Sequence, residues 1–299
     1  MAFRVRQICS AEEVAAVFLP KEVEVGWRPG ALDHVSFFPT DKSGFYAGEL
    51  DGKVISCISV VKYSKDYAFV GQYIVDKPYR GKGYGLATWN YSFRSIPEGC
   101  NCALNAVDEM IPMYRPHGFK PEWRIKRTTF KVSKELLQRL VPNGVVIKPA
   151  VEVPFKELLE YDTSVYLYAR PSFLEKWISA PNCHSYAAIN QEGQVEGYAV
   201  IRSAFRKEDG WRIGPVFANN STIARNLYRT MIDRVAAQDP TATLTVDIPY
   251  GSGFNPEGLD IAAELSGNTE VELVRMYTKG VPPKMPLEKI FAETTLELG

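Results

Sequence analysis

The chain has 299 residues, of which 45% are hydrophobic and 23% are charged. Globular domains run at about 100–200 residues, so this length predicts one large domain or two medium ones. The composition excludes a collagen, a coiled coil and a largely disordered chain. The 35 Lys and Arg residues equal the 35 Asp and Glu residues, so the basic excess typical of nucleic-acid binders is absent and we expect no nucleic-acid partner.

The sequence carries no signal for a membrane or for an oxidising compartment. Its N-terminus lacks the apolar core of a signal peptide, and no stretch approaches the roughly 20 apolar residues that a membrane helix needs. The five cysteines form no C-x-x-C pair, and Cys100 and Cys102 are too close for a relaxed disulfide. With three widely separated histidines, this pattern predicts reduced thiols, no bound metal, no membrane partner and a cytoplasmic location.

The beginning of the chain predicts a strand, two helices and a three-stranded meander. Residues 3–8 alternate apolar and polar side chains, as a half-buried strand does. Ser10 and Glu13 form a capping box that begins a helix through about Leu19. Residues 27–38 predict a loop and a second helix. Turns at Asp51-Gly52 and Lys65-Asp66 favour three antiparallel strands, at residues 44–50, 53–63 and 66–75.

After Pro78 the apolar residues change from a strand period to a helical one, which predicts a helix with one apolar face. The residues on that face are Leu86, Trp89, Phe93 and Ile96. The elements that follow are a short buried strand at 102–107, a helical turn at 110–115 and a strand at 124–132.

The second half of the chain repeats this plan in outline. A predicted helix at residues 133–143 marks the boundary, which divides the chain into domains of residues 1–132 and 133–299. The elements predicted beyond it are helices at 154–161 and 171–178, strands at 185–190, 194–202 and 210–217, a helix near 223–235, and strands at 243–248, 270–279 and 294–298. Because a strand-rich run followed by strand, turn, helix and strand occurs twice, an internal duplication is the economical explanation.

A glycine-rich turn, RGKGYG at residues 80–85, is the segment most indicative of chemistry. It follows a predicted strand and begins a predicted helix. Glycines let main-chain N–H groups face a ligand, and a helix start adds unpaired donors and partial positive charge, so the turn suits a pyrophosphate. Arg80 and Lys82 add positive charge. The spacing matches neither a Walker A loop nor a dinucleotide fingerprint, and an ordinary tight helix cap is the alternative.

This turn resembles the acyl-CoA pyrophosphate loop of the GCN5-related N-acetyltransferases, the GNAT family. Arg80, Gly83 and Gly85 match the family signature [QR]-x-x-G-x-[GA], and Tyr114 stands four residues before Gly118-Phe119, as a tyrosine does in the family. Other segments resemble a tandem subgroup with a divergent second domain, namely residues 26–30, Asp33, residues 44–45, 48–52 and 294–299. The resemblance implies an α/β (α+β) fold of two tandem GNAT-like domains, each a mixed, mostly antiparallel sheet flanked by helices.

The resemblance also implies a site for acetyl-CoA. In the family the strand before the loop separates from its neighbour and its main chain binds the pantetheine, while the loop holds the pyrophosphate. The matching residues here are Tyr73, Ile74, Val75, Arg80, Gly81, Lys82, Gly83, Tyr84 and Gly85. Residues 218–222, at the matching place in the second half, contain no glycine. We therefore expect one acetyl-CoA site, in the first half.

Tyr114 is the catalytic candidate that the resemblance implies, as the acid for the departing thiolate; a core tyrosine is the alternative. Acyl transfer to an amine also requires loss of a proton from a group whose pKa is near 10. No acidic residue lies on the strand at residues 68–75. The nearest candidate bases are Asp33, His34, Asp108 and Glu109, and proton loss through ordered water is equally open.

Four residues are predicted to contact the acceptor, where a core or surface role is the alternative for each. They are Trp27, Asp33, Phe38 and Asp108. The predicted function is acetyl transfer from acetyl-CoA to an amine of a small molecule or peptide, by direct attack in a ternary complex. The alternatives are a CoA-binding regulatory or scaffold protein without turnover, and transfer of a longer acyl chain.

Overall fold

In a computed structural model, residues 2–140, 144–265 and 267–299 are described, and the first half of the chain forms strands flanked by helices. The elements are β1 (Phe3–Gln7), α1 (Ala11–Glu24), α2 (Asp33–Thr40), β2 (Phe45–Leu50), β3 (Lys53–Lys62), β4 (Tyr67–Val75), α3 (Tyr84–Phe93), β5 (Asn101–Ala106), α4 (Ile111–Tyr114) and β6 (Lys120–Lys131). The predicted meander is confirmed, since β2, β3 and β4 pair antiparallel in succession.

The second half repeats the arrangement with additional elements. They are α5 (Lys134–Arg139), β7 (Val146–Pro149), α6 (Phe155–Tyr166), α7 (Pro171–Ser179), β8 (Cys183–Ile189), β9 (Val195–Ser203), β10 (Trp211–Ala218), α8 (Ser221–Ala236), β11 (Thr243–Tyr250), α9 (Glu257–Glu264), β12 (Asn268–Tyr277) and β13 (Ile290–Ala292). No helix among the described residues is both long enough and apolar enough to cross a membrane.

The predicted N-cap at Ser10 is confirmed, while the return bond of the capping box goes to Cys9, one residue before the cap. The Ser10 hydroxyl accepts a hydrogen bond from the N–H of Glu13 at 3.1 Å, and the Glu13 carboxylate accepts one from the N–H of Cys9 at 3.0 Å. The helix continues past Leu19 to Glu24, with Pro20 inside it. Tertiary contacts hold this last turn, because Lys21 pairs with Asp76 and Glu22 accepts a hydrogen bond from Gln72 at 2.7 Å.

The strands of both halves join in one continuous sheet, in which the two halves exchange their last long strands. In the described residues the order is β1-β2-β3-β4-β5-β12-β6-β11-β10-β9-β8-β7, with β13 beside β10. Strand β12 comes from the second half yet pairs with β5 of the first half, and β6 comes from the first half yet pairs with β11. The sheet therefore runs without a break across the sequence boundary near residue 133.

Each half contains one parallel strand pair that separates along its length. Strand β4 pairs with β5 from Tyr67 to Val70 and then leaves it. Strand β10 likewise pairs with β11 from Trp211 to Ile213. The gap in the second half is filled by β13, which pairs antiparallel with β10 at Val216 and Phe217. The corresponding edge of β4 has no strand beside it in the described part of the chain.

The expected strand at residues 294–298 is wrong: the last strand is β13 and the chain beyond it is a turn. The Thr295 hydroxyl accepts hydrogen bonds from the N–H groups of Glu297 at 3.2 Å and Leu298 at 2.9 Å, and such local bonds compete with strand pairing. Helix α9 was not predicted. The helix expected at residues 133–143 forms over Lys134–Arg139, and residues 141–143 lie outside the described residues.

Candidate active site

The glycine-rich turn presents a run of free main-chain donors. Gly81 and Gly83 have φ of +71° and +83°, a left-handed conformation that favours glycine, and Gly83 is the N-cap of α3. Within the described residues, none of the N–H groups of residues 81–86 donates a hydrogen bond to the protein. An ideal Cβ built on Gly83 meets nothing within 4 Å, so the turn opens onto free space. Consecutive free N–H groups of this kind form an anion-binding concavity.

Positive side chains surround this turn. Lys82 and Lys53 lie over the Tyr79 ring, 6.0 Å and 5.4 Å from its centroid, and Arg80 donates to the carbonyl of Val75 at 2.8 Å. In the described part of the chain, none of these three cations forms an ion pair with a carboxylate. Their charge is therefore free for a phosphate group.

A cavity of about 710 Å³ leads from the turn along the free edge of β4. Gly81, Gly83 and Gly85 line one end, and Tyr73, Ile74 and Val75 line its length. Strand β4 bends at this level, where Gln72 has a φ of +50° and the register with β3 shifts, as in a β-bulge. The cavity therefore combines an anion-binding end with an open strand edge.

Tyr114 lies at the inner end of this cavity, with 8% of its surface exposed. Its ring packs on Trp89 and Phe119, at centroid distances of 5.6 Å and 6.2 Å. Burial, together with the nearby Tyr73, raises the pKa of the Tyr114 hydroxyl well above its ordinary value of 10. The hydroxyl is therefore neutral at physiological pH and able to donate a hydrogen bond.

A second cavity, of about 450 Å³, continues from the first toward the second half of the chain. We call it the inner cavity. Residues shared by the two cavities are Val25, Trp27, Tyr73, Val107, Met110 and Tyr114. The walls of the inner cavity come from β4, β5 and β12 and from the end of the chain, so both halves build it.

The polar lining of the inner cavity includes Glu297, which the sequence had not singled out as a site residue. The chain reaches this point because β4 carries Gly71: an ideal Cβ there would lie 1.9 Å from the carbonyl oxygen of Glu297. Asn105 on β5 also holds the end of the chain, since its amide donates to the carbonyl of Leu296 at 3.0 Å. The resemblance of residues 294–299 to the tandem subgroup could have identified this segment as part of the site. The sequence of residues 294–298 instead predicted a strand.

The Glu297 carboxylate is buried, and only one of its two oxygens accepts a hydrogen bond from the described residues. One oxygen, Oε1, accepts a hydrogen bond from Arg212 at 3.0 Å, while Oε2 is buried and accepts none from the described residues. A second carboxyl, Glu22, lies behind the bulge. Burial, then the proximity of Glu297, raises the pKa of Glu22 to about 8 even though the Gln72 amide donates to it. At neutral pH Glu22 is therefore mostly protonated.

Of the predicted acceptor contacts, the structure brings Trp27 to the cavities but not Asp33, Phe38 or Asp108. Asp33 is buried in a bidentate pair with Arg202, at 2.6 Å and 3.1 Å, and lines a small separate void. Phe38 packs on Phe45, 6.1 Å between ring centroids. Asp108 is exposed and pairs with Arg124 at 3.2 Å.

The other two candidate bases also lie outside the two cavities. His34 borders the small void beside Asp33, and Glu109 is exposed. Glu297, which does line the inner cavity, was not among the candidates that the sequence pattern offered.

In the second half, residues of the chain itself occupy the helix N-terminus and the strand edge whose counterparts are free in the first half. The N-cap of α8 is Asn220, whose side-chain oxygen accepts from the N–H of Ile223 at 3.0 Å, so a helix donor is satisfied internally. Strand β13 covers β10, and the N–H of Glu293 donates to the carbonyl of Asp247 at 2.9 Å. This half therefore lacks both the open strand edge and the glycine turn.

A parallel strand pair that separates along its length occurs in both halves, and in the first half it lies beside a glycine turn. This arrangement defines a tandem fold of the GNAT type. Family models agree: residues 13–119 match the "Acetyltransferase (GNAT) family" and residues 158–292 match the "Acetyltransferase (GNAT) domain". The chain is 30% identical over 277 residues to a holothin acyltransferase of Pseudoalteromonas sp. (strain SANK 73390), covering 91% of this chain and 87% of that one. The chain belongs to the GNAT superfamily and is a tandem-domain acyltransferase.

Further relatives support the same fold. An uncharacterised Caenorhabditis elegans protein, F36G3.2, is 22% identical over 79% of this chain and 77% of its own. A crystal structure of a candidate acetyltransferase from Pyrococcus horikoshii has a TM-score of 0.74 at 17% identity, covering 99% of this chain and 96% of that one. A tandem GNAT protein from the clavulanic acid biosynthesis pathway has a TM-score of 0.63 at 12% identity, covering 92% and 98%.

Proposed function

We propose that this protein is an N-acetyltransferase that uses acetyl-CoA as donor and an amine of a small molecule or peptide as acceptor, by direct attack in a ternary complex. The observation that carries the proposal is the run of free N–H groups at residues 81–86, at the mouth of a cavity that leads along an open strand edge to Tyr114.

The residues of the first half fit the parts of an acyl-CoA. The donors of Gly81, Lys82, Gly83, Tyr84 and Gly85 would hold the pyrophosphate, with Arg80 adding charge. The free edge of β4 at residues 73–75 offers main-chain groups to the pantetheine amides, in the manner of an added strand. When bound, acyl-CoA supplies the thioester that reacts.

We propose that Tyr114 donates a proton to the departing sulfur of CoA. Tyr114 lines both cavities, so it lies where donor and acceptor would meet. A hydrogen bond and proton from its hydroxyl favour cleavage of the carbon–sulfur bond. Burial raises the pKa of a thiol as well as that of a phenol, so the shift at Tyr114 does not by itself prevent the transfer.

The inner cavity is proposed to take the acceptor. A volume of about 450 Å³ fits a small molecule or a single side chain, and Trp27 borders it where it joins the donor cavity. The similarity to a protein named holothin acyltransferase supports acyl transfer in general.

A thiol-release assay tests the function. Acetyl-CoA and longer acyl-CoAs are combined with amino acids, polyamines and arylamines, each with a matched sample lacking the acceptor, and amide products are verified by mass spectrometry. Amine-dependent release with acetyl-CoA is expected. Tight CoA binding without turnover on any amine would refute the enzyme and leave a CoA-binding regulatory protein.

A further inference from the structure

We propose that Glu297, near the end of the chain, binds the ammonium group of the acceptor and takes its proton, so that the second half supplies the base for chemistry in the first half. This proposal rests on the proposed transfer to an amine. It identifies the acceptor class as molecules that carry a protonated primary or secondary amine and fit the inner cavity.

The first argument is the unmatched oxygen of Glu297. The residue is 5% exposed, lines the inner cavity, and has a buried Oε2 without a donor among the described residues. A buried carboxylate oxygen without a donor is costly. A protonated primary amine offers three N–H donors and a protonated secondary amine offers two, each with a positive charge, so an acceptor amine in this cavity would supply the missing partner.

The second argument is the set of charged groups around this carboxylate. Arg212 on β10 donates to Oε1 at 3.0 Å, so Oε2 is the oxygen that has no donor among the described residues. Glu22 on α1 is the neighbouring carboxyl and its pKa is raised by burial, so it does not compete for the cation. Arg127 and Arg28 also line the cavity, but Asp247 pairs with Arg127 at 2.7 Å and Glu270 with Arg28 at 2.6 Å.

The proton and bond changes balance. Glu297 Oε2 takes one proton from the ammonium group, and the freed nitrogen bonds to the acyl carbon as the carbon–sulfur bond breaks. Tyr114 gives its hydroxyl proton to the departing sulfur, and the second proton of the nitrogen then returns to the Tyr114 oxygen, which restores the hydroxyl. The products are the amide, the CoA thiol and one proton, which Glu297 returns to solvent.

The chain offers a matched control in Glu293. Glu293 is also 5% exposed and pairs with a buried arginine, Arg275, at 3.0 Å. Its other oxygen accepts from the Trp123 indole N–H at 3.4 Å, and it lines neither cavity. Glu297→Gln and Glu293→Gln therefore remove equivalent buried charges, one at the inner cavity and one away from it.

The first experiment measures binding without turnover. Calorimetry in the presence of saturating CoA compares benzylamine with benzyl alcohol and putrescine with 1,4-butanediol. The wild type is expected to prefer at least one amine over its alcohol by tenfold or more. Glu297→Gln should abolish that preference, and Glu293→Gln should retain it. No preference in the wild type, a preference kept by Glu297→Gln, or equal loss in Glu293→Gln would each overturn the proposal.

The second experiment uses the best amine of the thiol-release assay. With Glu297→Gln, kcat/KM should fall at least 100-fold at pH 7 and recover as the pH approaches the pKa of the amine, since a free amine needs no base. The affinity for CoA should not change. Normal turnover by Glu297→Gln would refute the base while leaving the acyltransferase intact, whereas amine binding without wild-type turnover would refute the function alone.

Discussion

Replacing Gly83 by valine tests whether the glycine turn binds the donor. The φ of +83° strains any β-branched residue, which costs about 1–3 kcal/mol in the free energy of unfolding. The new side chain would meet no protein atom within 4 Å of its Cβ, so it would project into the space where a phosphate is expected. Gly83→Val should therefore still fold, but it should bind CoA more weakly.

The expected loss of affinity follows from the donors of residues 81–86. A hydrogen bond to a charged group contributes about 1.5–3 kcal/mol, so the loss of even two such bonds costs about 3 kcal/mol. That corresponds to about 100-fold weaker binding of CoA. Isothermal titration with CoA measures this loss, and urea unfolding measures the stability.

Gly193 is the matched control for this substitution. Its φ is +84°, it also has nothing within 4 Å of an ideal Cβ, and it lies in the exposed turn between β8 and β9. Gly193→Val should lose similar stability and keep full CoA affinity. Wild-type affinity in Gly83→Val, or equal loss of affinity in Gly193→Val, would show that the turn does not hold the donor.

Three further predictions concern the second half, Glu22 and Tyr114. Titration should give one CoA per chain, because β13 and Asn220 occupy the second cleft; a stoichiometry of two would contradict this. The pKa of Glu22 is near 4.5 in the unfolded chain and about 8 in the folded protein. The free energy of unfolding of the wild type, relative to that of Glu22→Gln, should therefore fall by about 3 kcal/mol from pH 5 to pH 8. Urea melts that show a constant difference between the two proteins would contradict the raised pKa. Tyr114→Phe should lower kcat by about 10²-fold with unchanged CoA affinity, and a normal kcat would exclude the acid.

The parts of the fold that the sequence predicted are those encoded by neighbouring residues. The Ser10–Glu13 cap and the Asp51-Gly52 hairpin depend on a few adjacent side chains, and both occur as expected. The glycine turn was recognisable for the same reason. Continuation of α1 past Pro20 was not predictable, because the contacts that hold its last turn come from Gln72 and Asp76, far along the chain.

The exchange of β6 and β12 could not be predicted from local pattern. Each strand has the sequence pattern expected of the strand that ends its half. That pattern is compatible with pairing to a strand of either half, so it does not decide the partner. The conformation of residues 294–298 could not be predicted for a different reason. Their alternation of polar and apolar residues imitates a strand, whereas the Thr295 hydroxyl bonds and the close approach to Gly71 are visible only in three dimensions.

The position of the last ten residues connects the two halves of the duplication functionally. As β13 they fill in the second half the gap that stays open in the first, and Arg275 holds Glu293 at the crossing point. A few residues later the same segment reaches Gly71 and presents Glu297 to the inner cavity. The segment that closes the second cleft thus anchors a wall of the proposed acceptor site in the first half. If Glu297 acts as proposed, the second half contributes to catalysis without binding a donor of its own.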